Sequence, residues 1–371
     1  MKRYVLLNPG PVNIKEKVRR SLLAPDMCHR EPEFGRLMTG CAKKLLRAFG
    51  IAGAYEAVFF TGSGTAALEA AVVSSVPRGK KMLVVNNGIY AGRIAEIARR
   101  HGIGLINLAS DVKKTPDIDA AEEKIRKNKD ISVIAMVHHE TSTGILNPVY
   151  GIGKLCRKYK KLYLLDSISA LGGEELDPGK AGVGLCVGTA NKCIEGIPGI
   201  SFVLVKKTAL PGLKKIAPRS LYFDIPSNLE GQKKGEPLFT PAVQAFYALD
   251  VALDELLKEG VNNRVKRYKN LAVFLRKGFE AAGFEYLIAP KYLSNTITAL
   301  RLPKGMTYTR LHDALKAEGF IIYAGQSKLK KVIFRIANMG QITAGDARRF
   351  LASLKSVLRK PGPHKGKRAA G

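Results

Sequence analysis

GTANKCIEGIPG (residues 188–199) places a single lysine, Lys192, between an apolar segment and a glycine-rich loop. An ammonium group at the end of an apolar run must snorkel to solvent, pair with a carboxylate, or act as a nucleophile. The segment before it, VGLCVGTA (183–190), is one of seven short apolar runs. The others are AVFFTG (57–62), MLVVNN (82–87), GLINL (104–108), ISVIAMVHHE (131–140), LYLLDSISA (162–170) and ISFVLVKK (200–207). Most are apolar throughout instead of alternating, as expected of strands covered on both faces. The stretches between them, such as AALEAAVVSSV (66–76) and AGRIAEIARRHG (91–102), carry helical periodicity. These features predict an α/β fold with a seven-stranded, mostly parallel sheet.

After TPAVQAFYALDVALDELLKEG (240–260) the order of elements changes. A helix over 263–282, strands FEYLI (284–288) and NTITAL (295–300), a helix over 308–318, strands FIIYA (320–324) and KVIFRIA (331–337) and a helix over 343–358 predict a smaller α+β unit. The expected division is a large unit over 1–255 that includes the N-terminal segment, a small unit over 256–360, and a basic tail over 361–371. That tail lacks apolar periodicity and is expected to be disordered.

The chain has 371 residues, 46% of them hydrophobic, enough for a sizeable core. No run reaches the roughly 18 uninterrupted apolar residues of a membrane helix, and MKRYVLLNPGPV is too short in its apolar part for a signal peptide, so the expected location is the cytoplasm. Five cysteines without CxxC pairs point to reduced thiols instead of a disulfide framework or structural zinc. Against 31 Asp and Glu stand 61 Lys and Arg, a formal charge of +30. This admits a nucleic-acid-binding protein as a non-enzyme alternative. The basic residues are nevertheless spread along the chain without interleaved aromatics, which favours a basic surface able to draw anionic small molecules to a cleft.

In open α/β sheets ligands gather beyond the carboxyl ends of the strands, and five such ends carry chemistry. TGSGTAALEA puts Gly62 and Gly64, Ser63 and Thr65 at a helix start, either as a phosphate cup or as a simple N-cap. NNGIYAGR offers Tyr90, a ring that could cover a flat ligand or merely pack. HHETSTG brings Thr141, while His138 and His139 lack ligand-spaced partners and read as structural. LYLLD buries Asp166, which needs a cation or several donors. Lys192 follows on the next strand. An amine, a buried acid, a ring and a phosphate cup at successive strand ends are the requirements of pyridoxal 5'-phosphate, an aromatic aldehyde with a phosphate arm.

The series NPGPV, HREPEF (29–34), GSGTAALEA, NNGIYAGR, HHETSTGILNP, LLDSISALGG, TANKCIEGIPG and FRIANMGQI (334–342) resembles the fold-type I, class V pyridoxal-phosphate-dependent aminotransferases over nearly the whole chain. NKCIEGIPGISFV and FRIANMGQI are most similar to the 2-aminoethylphosphonate:pyruvate transaminases, with alanine:glyoxylate and serine:pyruvate aminotransferases as near relatives. NPGP stands where that class more often shows TPGP.

The resemblance implies transamination in two half-reactions, from 2-aminoethylphosphonate to pyruvate. It gives Lys192 the covalent link to the cofactor and the proton transfer, Asp166 the pyridine nitrogen, and Tyr90 the ring stack. Thr141 would hold the phenolic oxygen, Ser63, Gly64 and Thr65 the phosphate, and Asn191 a further cofactor contact. Thr240 would reach the phosphate of the neighbouring subunit's cofactor, which implies a homodimer. Arg335 would clamp the acid group of the anionic amino donor and of the 2-oxo acid acceptor. A cysteine desulfurase would need a mobile cysteine in the second half, and the chain has none after Cys193.

Overall fold

A computed structural model describes residues 3–359; the basic tail expected over 361–371 lies outside them. Fourteen strands are described: β1 (Val5–Leu6), β2 (Tyr55–Thr61), β3 (Lys81–Asn86), β4 (Gly104–Ala109), β5 (Ile131–Val137), β6 (His139–Glu140), β7 (Ile145–Leu146), β8 (Leu162–Asp166), β9 (Leu185–Thr189), β10 (Ile200–Lys206), β11 (Ile297–Arg301), β12 (Phe320–Ile321), β13 (Tyr323–Ala324) and β14 (Ile333–Ala337). All seven apolar runs of the large unit join one sheet, in the order β2-β10-β9-β8-β5-β3-β4. Its pairs are parallel except where β10 runs against β9 and β2.

Both faces of this sheet are covered, which is why its strands read as apolar runs. One face packs Leu83, Met136, Leu165 and Phe202 against the helices Pro32–Ala48, Val149–Lys158 and Val243–Glu259. The other packs Val84, Val137, Leu164 and Val203 against the helices Gly64–Ser75, Ile89–Arg100 and Ile225–Lys234. The crossovers bring the ends of β2, β3, β5, β8 and β9 to one rim.

The smaller unit has a three-stranded antiparallel sheet, β11-β14-β13. It packs on the helices Val261–Ala281, Tyr308–Ala317 and Ala344–Arg359 through Phe279, Leu311, Phe334 and Phe350. Four details depart from the sequence expectation. FEYLI is no strand: Tyr286 makes one isolated bridge to Leu300, and the 3-10 turn Pro290–Tyr292 then turns the chain away. FIIYA splits at buried Ile322, because β12 pairs with β1 while β13 pairs with β14. A division after residue 255 would cut the helix Val243–Glu259, whose Leu249 and Leu253 belong to the large core; the chain turns instead at Gly260, in left-handed conformation with φ +80°.

The fourth departure is the N-terminal segment. Grouped with the large unit in the sequence reading, it instead adds β1 in parallel to β12, and Leu7 bridges the amide of Ala337 and the carbonyl of Ile321. Its apolar residues match the gap in the small unit's core, where Leu7 is fully buried. From there the chain runs across to the large sheet, which places Pro9 and Gly10 over the rim.

Strand β2 lies at a sheet edge, and its outward backbone is closed by one side chain. Gln232 accepts from the Phe59 amide (2.8 Å) and donates to the Phe59 carbonyl (2.7 Å). Gln232→Leu leaves both groups buried and unpaired, at about 1–3 kcal/mol each. A denaturant titration should show that loss; an unchanged midpoint would contradict it.

Candidate active site

At the end of β9, Lys192 sits half-buried with its amine donating to the Pro9 carbonyl. Burial pulls its pKa below the ordinary lysine value, opposed by Tyr90, Cys193 and Asp166 and aided by Arg335. Gly10 closes over the side chain. With φ +98°, a Cβ at Gly10 would stand 2.8 Å from Lys192 Cδ and 3.2 Å from Nζ, so only glycine leaves the amine its place.

Asp166 ends β8, 3% exposed, with Oδ1 accepting from the Ile168 amide (3.0 Å). Burial raises its pKa to about 6; the Ile168 bond opposes this, and Glu140 adds to it. Lys192 and Arg93 oppose the rise, so Asp166 feels the lysine without having its amine as donor. A buried carboxylate with a raised pKa fits a cationic ring nitrogen, which would supply the missing counter-charge.

The helix Gly64–Ser75 begins at the end of β2, with Ser63 at its N-cap. The Ser63 side chain makes no capping bond and is exposed, so its hydroxyl is available to a phosphate together with the first-turn amides. Gly64 lets the turn approach β8's exit, since a Cβ there would meet Ile168 at 2.9 Å. Thr65 Oγ1 accepts from Arg93 Nη1 (3.1 Å), and the Arg93 guanidinium lies 4.9 Å from the Tyr90 ring centroid. Asn191 Oδ1 accepts from Thr189 Oγ1 (2.9 Å), which orients its amide beside Lys192. Thr240 is exposed; two residues on, the Ala242 amide donates to Thr61 Oγ1 (3.1 Å), so this segment passes the end of β2.

Arg335, on β14 of the small unit, is 0% exposed. Its Nε donates to the Ala324 carbonyl (2.9 Å) and Nη1 to the Thr141 carbonyl (2.8 Å), which ties the small sheet to the loop after β6. Nη2 is buried without a hydrogen-bond partner. A charged donor left unpaired is costly, and an incoming acid group relieves it. Burial lowers the Arg335 pKa, opposed by Tyr90, Tyr323 and Glu140.

Two residues escaped the sequence reading. Glu140 is fully buried: Oε2 accepts from the amides of Tyr90 (3.0 Å) and Ala91 (3.3 Å), and Oε1 from Ser142. It caps the helix that carries Tyr90 from a strand 50 residues away, and only glycine at position 88 leaves room for it. Arg93 was legible in principle, three residues after Tyr90 on the same helical face. His138 and His139 are buried and held neutral, with pKa values lowered by burial to about 4 and about 3.

These residues define a fold-type I enzyme built to hold pyridoxal phosphate. The family Aminotransferase class-V matches residues 18–345, and the chain belongs to it. A 2-aminoethylphosphonate–pyruvate transaminase of Bacillus cytotoxicus is 36% identical over 349 residues, 92% of this chain and 94% of that one. Among solved structures, an alanine–glyoxylate aminotransferase of a Nostoc species superposes with TM-score 0.91 at 25% identity, covering 97% of this chain and 96% of the other. A ureidoglycine–glyoxylate aminotransferase of Bacillus subtilis does so with TM-score 0.90 at 25% identity, covering 96% and 93%. The protein is a transaminase whose cofactor is pyridoxal phosphate. Among the described residues, no helix is long and apolar enough to cross a membrane.

In the cofactor-free protein the raised pKa of Asp166 makes a pH signature. Its ionised form is the disfavoured one, so the stability that Asp166 contributes is full below about pH 4 and is lost as pH rises through about 6. Asp166→Asn escapes this fall, so its stability relative to wild type should rise by about 2–3 kcal/mol between pH 4 and pH 8. Urea titrations of the two proteins from pH 4 to 8 check it; a difference that does not change with pH would contradict it.

Proposed function

We propose that the enzyme transfers the amino group of 2-aminoethylphosphonate to pyruvate, giving phosphonoacetaldehyde and alanine. The observation that carries this reading is Arg335: a fully buried guanidinium with an unpaired Nη2, within electrostatic reach of the Lys192 amine. A small anion with a reactive group a few bonds from its acid head would satisfy both the guanidinium and the amine. The likeness to the Bacillus cytotoxicus transaminase supports phosphonate as the acid. The alternative is alanine donating to glyoxylate or serine to pyruvate, the first of which the likeness to the Nostoc structure favours.

Pyridoxal phosphate supplies an aldehyde that carries the amino group and a ring that accepts an electron pair. Lys192, whose amine burial biases toward the neutral form, would both bond the aldehyde and act as the base that moves the proton from the amine-bearing carbon. Positioned proton transfer contributes about 10²- to 10⁴-fold in rate. Asp166 would keep the ring nitrogen protonated, and Tyr90, whose amide is held by Glu140, would cover the ring. Ser63, Gly64 and Thr65 would hold the phosphate, Thr141 the phenolic oxygen, and Asn191 the cofactor edge. We assign Thr240 to the phosphate bound by a neighbouring subunit, which makes the working unit a homodimer. The unpaired cysteines suit a cytoplasmic enzyme.

Rates for 2-aminoethylphosphonate, alanine, serine and aspartate, each with pyruvate and with glyoxylate, test the substrate assignment. The expected order puts 2-aminoethylphosphonate with pyruvate first; alanine with glyoxylate far ahead would overturn it. Arg335→Gln should lower kcat/KM by about 10- to 100-fold for acidic substrates, the worth of one charge-assisted bond pair. An unchanged kcat/KM would remove Arg335 from the site.

A further inference from the structure

The loop that carries Lys192 is held from behind by a buried ionic cluster that the chemistry above does not use. Glu195, three residues beyond the lysine, has a left-handed backbone with φ +64°, unusual for a non-glycine residue, and its amide donates to the Lys192 carbonyl (2.9 Å). Its side chain is 3% exposed and points away from the rim to the small unit's helix Val261–Ala281. There Oε1 accepts from Tyr268 and from Arg267 Nη2 (2.7 Å), and Oε2 from Gln341.

The same helix grips the loop directly. Arg264, 0% exposed, donates through Nη1 to the carbonyls of Cys193 (3.0 Å) and Ile194 (3.1 Å), and its Nη2 pairs with Glu259 at 2.9 Å. On its other side the cluster reaches the chain that leaves β14. Arg267 Nη1 donates to the Gly340 carbonyl (3.0 Å), Tyr268 Oη accepts from the Gly340 amide (3.1 Å), and Asn338 donates to the Tyr268 carbonyl (3.0 Å). Burial pushes the Tyr268 pKa up, so its hydroxyl stays protonated and donates to Glu195.

Lys192 lies three residues before Glu195, and Arg335 five residues before Gly340. One carboxylate on the Lys192 segment is thus hydrogen-bonded to Gln341 and to two side chains that hold Gly340, in the segment after Arg335, although the two functional residues belong to different units. We infer that Glu195 is a positioning residue: its carboxylate, held by Arg267, Tyr268 and Gln341, sets the spacing between the Lys192 amine and the Arg335 guanidinium. Glu195 and Glu259 balance the charges of Arg264 and Arg267, so the cluster needs no external ion. The inference rests on the roles given to Lys192 and Arg335, not on which donor is used.

The test is made on the holoenzyme with Glu195→Gln and Tyr268→Phe, the second removing only a hydroxyl should the first fail to fold. Hydrogen exchange of peptides covering 190–199 and 336–342 should speed up in both segments together. KM for donor and acceptor should rise about tenfold, and the pH midpoint of the visible cofactor band should shift. The double variant should be no worse than Glu195→Gln alone, because both cut one network. Unchanged KM and an unmoved cofactor band, with only thermal stability lowered, would overturn the inference. Loosening of a single segment would also overturn it. The Arg335→Gln kinetics report on the site assignment separately.

Discussion

An amine taken out of water at the end of a strand loses hydration, and the protonated form loses more than the neutral one. The Lys192 position depends on this imbalance. Gly10 shuts one side of the side chain, the Pro9 carbonyl accepts a hydrogen bond from the amine, and Asp166 attracts the amine without hydrogen-bonding to it. The amine is therefore held in place and biased toward the neutral form that can bond a carbonyl carbon. Asp166 sits under the opposite imbalance, a carboxylate raised by burial and short of a counter-charge. Each group is unfavourable alone, and both are relieved by one bound ring bearing an aldehyde at one position and a basic nitrogen at another.

The two units contribute different halves of the site. The large sheet supplies the reactive groups because its parallel strands all end at one rim. The small unit supplies the guanidinium of Arg335, whose Nη1 is fixed on the Thr141 carbonyl and whose Nη2 is left for a ligand. Three devices stand out in the junction between them: the N-terminal segment that crosses from β12 to the rim, the bond from Arg335 to the loop after β6, and the cluster around Glu195. The groups proposed for proton transfer and for substrate recognition are thereby held in one frame, although 143 positions separate Lys192 from Arg335.

The large sheet was legible because strands covered on both faces must be apolar at nearly every position, and their ends mark the rim without knowledge of packing. Lys192 and Asp166 stood out for the same reason, as charges at the ends of such runs. The small unit was harder to read. Its strands are short, and FIIYA serves two sheets in succession, a switch that its uniform hydrophobicity does not encode. Glu140 was read as the tail of a strand, since its cap acts on a helix 50 residues upstream. Arg264 and Arg267 looked like solvated faces of a basic helix. Their partners, the Cys193 and Ile194 carbonyls and Glu195, lie about 70 residues away in sequence and meet them only in the folded chain.

The account depends most directly on where the cofactor is bonded. Borohydride reduction of the native holoenzyme, followed by digestion and mass mapping, should leave the pyridoxyl group on the peptide containing Lys192 and on no other. A modified peptide elsewhere, or an unmodified Lys192 peptide from a protein that carried stoichiometric cofactor, would contradict it.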